Sequence, residues 1–179
     1  MSTMGDAVGT VGVYFCTAII MFGAPLIINS AINDDMAQTA LNVAVTEAAE
    51  NVEKTGVFTI EDYNNLVQTV SADGTAKEIE MQIGRIDENP GKKTTQANSK
   101  KQGENAMYYI FTNEIEEILK TEGKIVLNQG DVFIIRVRNK SPTLNNMLTN
   151  IFYSVPPSAT YTLASQASVT CTVNGDLSS

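Results

Sequence analysis

Histidine is absent from this chain of 179 residues, and so is tryptophan. The absence of histidine removes the commonest general base and the commonest metal ligand of proteins. No HExxH, CxxC or GxGxxG pattern supplies another catalytic or binding centre. We therefore expect no catalytic residue, no metal and no cofactor, and we interpret the protein as something other than an enzyme.

Basic residues are also few, with 12 Lys and Arg against 20 Asp and Glu and a net charge of −8. This balance argues against nucleic acid as a partner, because binding it usually needs a basic patch. The first basic residue is Lys54, so the start of the chain lacks the positive charges that precede signal peptides and orient membrane segments. One interpretation is that a basic leader was removed before residue 1.

Cysteine occurs only twice, as Cys16 and Cys171. Cys16 lies within an apolar run and Cys171 near the end of a predicted strand, whereas a disulfide needs Cα atoms within about 7 Å. We expect both to be small, unpaired packing residues.

The dominant feature is the uncharged stretch from Ala7 to Asn33. Its densest part, residues 8–28, reaches the length of about 20 residues that crosses a bilayer core. A soluble helix is seldom apolar on every side for so long. The stretch therefore predicts a helix that lies in lipid or in a protein environment resembling lipid. Its glycines would let helix backbones approach each other closely.

Two residues modify this helix. Pro25 predicts a kink or local melting within it. Asp6 is the only acid before the apolar run and has two interpretations. It is either an acid favoured by the helix dipole at an N-terminus, or one half of an inter-subunit pair with a positive group such as an α-amino terminus.

Residues 34–54 predict a continuation of the helix as an amphipathic half, with Gly56 as its stop. The apolar positions recur at steps of four: Ile32, Met36, Ala40, Ala44, Ala48 and Val52. Three further apolar residues widen this stripe: Ala37, Leu41 and Val45. The chain thus divides into a helix over 1–54, with an apolar part at 7–33 and an amphipathic part at 34–54, and a globular head over 55–179.

The head has mixed helix and strand periodicities. The predicted class is α+β: a long N-terminal apolar and amphipathic helix carrying a small head with an antiparallel sheet and two or three short helices. The predicted elements are a helix capped by Thr59 and Asp62, a strand over Ile79–Ile83 with a bulge at Gly84, a basic loop over Asn89–Gly103, a helix over Ala106–Thr121, a hairpin of Lys124–Leu127 and Asp131–Arg138, a helical or irregular segment over Pro142–Tyr153, and a strand over Tyr161–Val173.

This layout resembles the type IV pilin superfamily. The shared features are an apolar half-helix containing Pro25, an amphipathic second half, and an α+β head with a late strand reading GDVFIIRV at residues 130–137. The order of elements is most similar to Tad-type and TadE-like pilins or to Gram-positive pilin-like proteins. The family pattern has a glutamate at mature position five, where this chain has Gly5 followed by Asp6.

The resemblance implies a structural subunit that self-assembles into an extracellular filament of identical subunits on the cell surface. Before assembly, the subunit would be membrane-embedded and would be handled by a pilus assembly machinery. The filament core would be packed by Val8, Val11, Val13, Phe15, Ile19, Ile20, Phe22, Leu26 and Ile27. The head would be seated on the helix by Ile32, Met36, Ala40 and Ala44. The alternative is a membrane-anchored monomer or dimer with an extracytoplasmic binding head.

Overall fold

The computed structural model describes residues 3–86, 107–153 and 163–175, with side chains described for 7–86, 107–151 and 163–175. The chain divides into two compact units. One unit comprises residues 1–37 and 142–162, and the other comprises residues 38–141 and 163–179. The predicted α+β class is confirmed: a long N-terminal helix is followed by antiparallel strands and three shorter helices in the described chain.

Helix α1 runs from Thr3 to Thr55 and contains Pro25 without an interruption. The described helix therefore does not melt at this proline, and the kink remains a prediction. The predicted stop is confirmed, because Gly56 takes a left-handed φ of 66° and its N–H donates to Val52 O at 2.8 Å. A glycine adopts this conformation without steric cost, which makes it the usual residue just past a helix end.

The second half of α1 is buried along one face in the second unit. Its most buried residues are Leu41, Val45, Ala49 and Val52, at 0–3% exposure. They are separated by steps of four, four and three, which keep side chains on one face of a helix with 3.6 residues per turn.

This buried face confirms part of the predicted stripe and corrects one of its residues. Of the four residues predicted to seat the head, Ala44 is buried and Ala40 is exposed in the unit that contains the head, whereas Ile32 and Met36 belong to the other unit, so their contact with the head stays a prediction. Leu41 and Val45, which were predicted to widen the stripe, are buried. A strict step of four advances about 400°, so each step turns the stripe about 40° from the last one. The series starting at Ile32 therefore rotates away from any single face before it reaches Val52.

The head is built from two antiparallel sheets. The larger sheet has the order β3-β2-β5-β6 and the smaller one pairs β1 with β4. The elements after α1 are β1 Val57–Thr59, α2 Ile60–Val70, β2 Lys77–Ile86, β3 Met107–Phe111, α3 Thr112–Glu122, β4 Lys124–Val126, β5 Val132–Asn139, α4 Leu144–Tyr153 and β6 Ala164–Thr170.

The core of the head lies on one face of the central strands β2 and β5. Met81 pairs with Ile135 and Ile83 with Phe133, and all four side chains are 0–2% exposed. The Phe133 ring packs on the Phe58 ring with centroids 5.0 Å apart. Burial of these side chains stabilises the head by about 1.5–3 kcal/mol each.

The predicted hairpin between Lys124–Leu127 and Asp131–Arg138 is wrong. Strand β4 pairs with β1, while β5 pairs with β2 and β6. The segment between them is a tight turn, in which the Asp131 carboxylate accepts the Asn128 N–H at 2.9 Å and Asp131 N–H donates to Asn128 O at 3.0 Å. This turn passes the chain from one sheet to the other instead of folding it back on itself.

Two further predictions are corrected around β3. Residues Met107–Phe111 of the predicted helix over Ala106–Thr121 form β3, and α3 begins only at Thr112. The register of β2 against β3 continues across Gly84, so no bulge interrupts it. Gly84 instead makes room for an aromatic ring, because a Cβ there would lie 2.7 Å from Tyr109 Cε1.

Three further predictions for the head concern a helix cap, the last strand and a basic loop. The capping box of Thr59 and Asp62 is confirmed, with Asp62 N–H donating to Thr59 Oγ1 at 3.1 Å and Thr59 N–H donating to Asp62 Oδ2 at 2.9 Å. The last strand alternates as predicted but is shorter, Ala164–Thr170. The basic loop over Asn89–Gly103 lies outside the described residues.

Candidate functional site: the exposed apolar helix

The first half of α1 exposes the apolar side chains that the sequence singled out. Val8, Phe15 and Ile20 are 73%, 67% and 68% exposed. Of the nine residues predicted to pack a filament core, eight are exposed and Ile27 is half-buried: Val8, Val11, Val13, Phe15, Ile19, Ile20, Phe22 and Leu26 are the exposed ones. Monomeric soluble proteins rarely leave such a large contiguous apolar surface in water.

This exposure extends round the whole helix. The four consecutive residues from Ile19 to Phe22 are all exposed, and each is turned by about 100° from the one before. No side of this turn is therefore covered within the described chain. In the described residues, α1 is also the one helix long and apolar enough to cross a membrane. Such a surface is compatible with surroundings of lipid or of other protein molecules.

Two hydroxyl groups within the apolar run are satisfied by the helix itself. Thr17 Oγ1 donates to Val13 O at 2.8 Å, and Ser30 Oγ donates to Ile27 O at 2.9 Å. A hydroxyl that already bonds a carbonyl of the preceding turn enters an apolar environment at a lower cost. The helix can therefore lie in lipid without a polar partner for these two groups.

The glycines near the start of the helix leave open space. A Cβ added at Gly9 or Gly12 would have no heavy atom within 4 Å beyond the helix's own backbone. Small residues at such positions permit close backbone contact between helices. The backbone of Asp6 belongs to α1, but its side chain lies outside the described side chains, so both interpretations of this acid remain predictions.

Comparison with protein-family models, curated proteins and solved structures finds no match for this chain. The arrangement of helices and strands is therefore the basis for comparison with known layouts. A long apolar N-terminal helix followed by a small antiparallel-sheet head is compatible with a pilin-like layout. The apolar helix is also compatible with a membrane-embedded state.

In the described part of the head, Lys77 carries a buried charge that is paired with neighbouring side chains. The Lys77 side chain is 3% exposed, and its Nζ donates to Asp73 Oδ2, Thr75 Oγ1 and Asn139 Oδ1. Burial alone would raise the pKa of Asp73, but the hydrogen bonds from Lys77 and Thr75 outweigh it and lower that pKa. This arrangement fixes the turn before β2, and its lysine has no free donor to offer a ligand from solution.

The cysteines are both free, as predicted. Cys16 is exposed on the apolar helix, whereas Cys171 is 1% exposed in the head. Burial, together with the charges of Asp131 and Glu53, raises the pKa of the Cys171 thiol to about 11. This thiol is therefore a packing group and a poor nucleophile at neutral pH.

Helices α2 and α3 are joined by a hydrogen bond that makes a pH prediction possible. Tyr63 Oη donates to Glu116 Oε1 at 2.8 Å. Burial, reinforced by this bond and by the charge of Glu116, raises the pKa of Tyr63 to about 12, against about 10 in an unfolded chain. The unfolded state therefore loses this proton first, and the stability contributed by Tyr63 is present below about pH 10 and is lost as the pH rises towards 12.

We expect the alkaline loss of stability to be shallower in the Tyr63→Phe variant. The measurement is urea unfolding of the full chain in detergent micelles at several pH values between about 8 and 12. The other tyrosines are present in both proteins, so their contribution cancels in the difference. Parallel pH profiles for the variant and the parent would contradict the assignment.

Proposed function

We propose that this protein is a structural, pilin-like subunit that assembles through its N-terminal helix into an extracellular filament on the cell surface. The observation that carries the proposal is the exposure of apolar side chains all round residues 8–28 of α1, while the head has a core of its own. The subunit would have no catalytic activity. Its partners would be the membrane before assembly, the pilus assembly machinery, and other copies of itself.

The driving force for assembly would be the transfer of the exposed helix into an environment made by other copies. Each fully buried Val, Leu, Ile or Phe side chain contributes about 1.5–3 kcal/mol, and eight of the nine predicted core residues are available. A contact that is used head-to-tail does not need to close on itself. Repetition of such a contact produces an open helical fibre.

The alternative function is a membrane-anchored monomer or dimer with an extracytoplasmic binding head. The self-satisfied hydroxyls of Thr17 and Ser30 favour it, because a single span in lipid must pair its polar groups internally. The same helix surface would then contact lipid permanently. The two functions differ in whether the subunit leaves the membrane.

Electron microscopy of material sheared from intact cells separates these functions, with mass spectrometry of the same fraction. We expect fibres composed mainly of this chain, and an N-terminal peptide that identifies the processing site. Recovery of the chain only in detergent extracts of membranes, as a small species without fibres, would overturn the filament and leave the anchored head.

A further inference from the structure

Helix α4, Leu144–Tyr153, has an unusual distribution of polar and apolar side chains. Leu144, Met147 and Ile151 are 61%, 53% and 73% exposed. Asn146, on another side of the same helix, is 5% exposed. Positions 144, 147 and 151 follow the helical spacing i, i+3, i+7, so the three apolar side chains form one stripe. We call this the α4 stripe.

The start of α4 is fixed to α1 within the same compact unit. Thr143 caps α4 by accepting the Asn146 N–H on its Oγ1 at 3.3 Å, and it donates the same hydroxyl to Asp34 Oδ2 at 2.6 Å. The Asp34 carboxylate therefore lies close to the N-terminus of α4, where the helix dipole favours a negative charge.

Asp34 is also the first charged residue after the apolar run over residues 7–33. In a membrane-embedded helix, the first carboxylate after the span marks the boundary between hydrocarbon and water. The hydrogen bond from Thr143 to Asp34 thus places the start of α4 at this boundary. Helix α4 itself has no acidic or basic residue over LNNMLTNIFY, so no charge opposes contact with the apolar interface.

We propose that α4 is an interfacial helix that inserts the α4 stripe into the membrane surface beside α1. The inference rests on the part of the proposed function in which α1 is membrane-embedded before assembly. An amphipathic helix of this kind lies in the plane of the interface, with its apolar face about 5–10 Å into the headgroup region. Asn146 on another side of α4 is buried, whereas the apolar stripe is exposed and available to lipid.

A second copy of the chain is a less suitable occupant of the stripe. Three aliphatic side chains cover roughly a few hundred Å², whereas a specific and stable protein interface buries roughly 1,200 Å² or more in total. The stripe alone is too small for such an interface. A lipid surface has no such threshold, because α1 already supplies the anchoring and α4 only adds to it.

The absence of tryptophan from the chain makes depth measurements straightforward. Three single-tryptophan variants of the full chain would be reconstituted into phosphatidylcholine vesicles containing brominated acyl chains: Met147→Trp on the stripe, Thr149→Trp as the matched control, and Phe22→Trp within the apolar run. Thr149 lies two residues beyond Met147 and is therefore turned about 200° away from it on the same helix. Near-identical far-UV spectra of the variants would show that each one folds.

We expect the M147W emission to be blue-shifted and to lose about half its intensity to the brominated lipid, as for a ring in the interfacial layer. The T149W emission should be quenched much less, and that of F22W at least as strongly as M147W. Equal quenching of M147W and T149W would overturn the proposal. A blue shift of M147W that appears only at high protein concentration, without quenching by the brominated lipid, would also overturn it and would indicate a second copy on the stripe.

The F22W variant distinguishes this failure from a failure of the proposed function. Quenching of F22W without quenching of M147W would leave α1 in the membrane and remove α4 from its surface. No quenching of either variant would contradict membrane insertion of α1 and the interfacial helix together.

Discussion

A Val13→Asp substitution is expected to abolish fibre formation, whereas Val43→Asp is expected to preserve it. The two changes are chemically identical and lie on the same helix. Val13 is 65% exposed and Val43 is 50% exposed, so neither substitution removes a side chain from the core of the head. They differ in that Val13 lies in the uncharged run, whereas Val43 follows the two acids at positions 34 and 35 that end this run.

The expected size of the effect follows from the cost of an isolated carboxylate. At the centre of a membrane helix an Asp costs about 2.5–3.5 kcal/mol, and in a packed apolar contact without a partner an ionised carboxylate costs several kcal/mol. In a filament, this cost recurs at every subunit. At Val43 the carboxylate remains in water, as the neighbouring acids do.

The measurement is the yield of sheared fibres from cells that produce each variant, together with the amount of each variant in the membrane fraction. Fibres at the parental level from Val13→Asp would show that α1 does not pack in the filament core. Loss of fibres from both variants would show that the contact extends into the amphipathic half. Loss of Val13→Asp from the membrane fraction would mean that the charge acts already at insertion.

The sequence was sufficient to predict the apolar helix because its signal is local. An uncharged run over residues 7–33 needs no knowledge of the rest of the chain, and the α+β class follows from helical and alternating patterns in the head. The capping box of Thr59 and Asp62 was equally predictable, because its two partners are three residues apart and determine each other's geometry.

Pairing between strands could not be predicted in the same way, because it depends on contacts far apart in sequence. Strand β4 comes directly before the turn signal at residues 128–130, yet it pairs with β1, which lies more than 60 residues earlier. The helix predicted from Ala106 failed for a related reason: Tyr108 and Tyr109 pair with β2, and this tertiary contact overrides the local periodicity.

The candidate surfaces were predicted unequally. The exposed residues of the first half of α1 were found from composition alone, whereas the head-seating residues were assigned to a step of four that drifts round the helix. The α4 stripe was missed, although the spacing of Leu144, Met147 and Ile151 was visible in the sequence. What the sequence could not show was which side of α4 is covered, and this is given by the burial of Asn146 in the folded chain.

A Gly12→Leu substitution is expected to separate the filament from the anchored head more cleanly than any charge does. Leucine is favourable in a membrane helix, by about 0.3–0.6 kcal/mol at its centre, and it also stabilises a helix relative to glycine by about 1 kcal/mol or less. A Cβ at Gly12 meets no heavy atom within 4 Å outside the helix's own backbone. Within one subunit, the change is therefore harmless or stabilising.

In a packed fibre the same leucine occupies space that glycine leaves for a neighbouring helix. Overpacking of a close contact costs typically about 1–3 kcal/mol, and every subunit in the fibre would bear this cost. We expect Gly12→Leu to reduce the fibre yield severely with no change in the membrane fraction, and Gly12→Ala to have an intermediate effect. Ile20→Leu is the control, because it changes the shape of a side chain on the same helix with little change in volume.

The graded series is informative because the two functions predict opposite results for a change that lipid tolerates. If the subunit packs through this part of α1, fibre yield should fall in the order glycine, alanine, leucine, since only the steric size at one position increases. If α1 remains surrounded by lipid, all three proteins should occur at equal levels in the membrane and behave identically. Fibres that formed equally well with leucine would place Gly12 on a side of the helix that faces no neighbouring subunit. The same substitutions at Gly9 would then test the adjacent side of the helix, about 60° away.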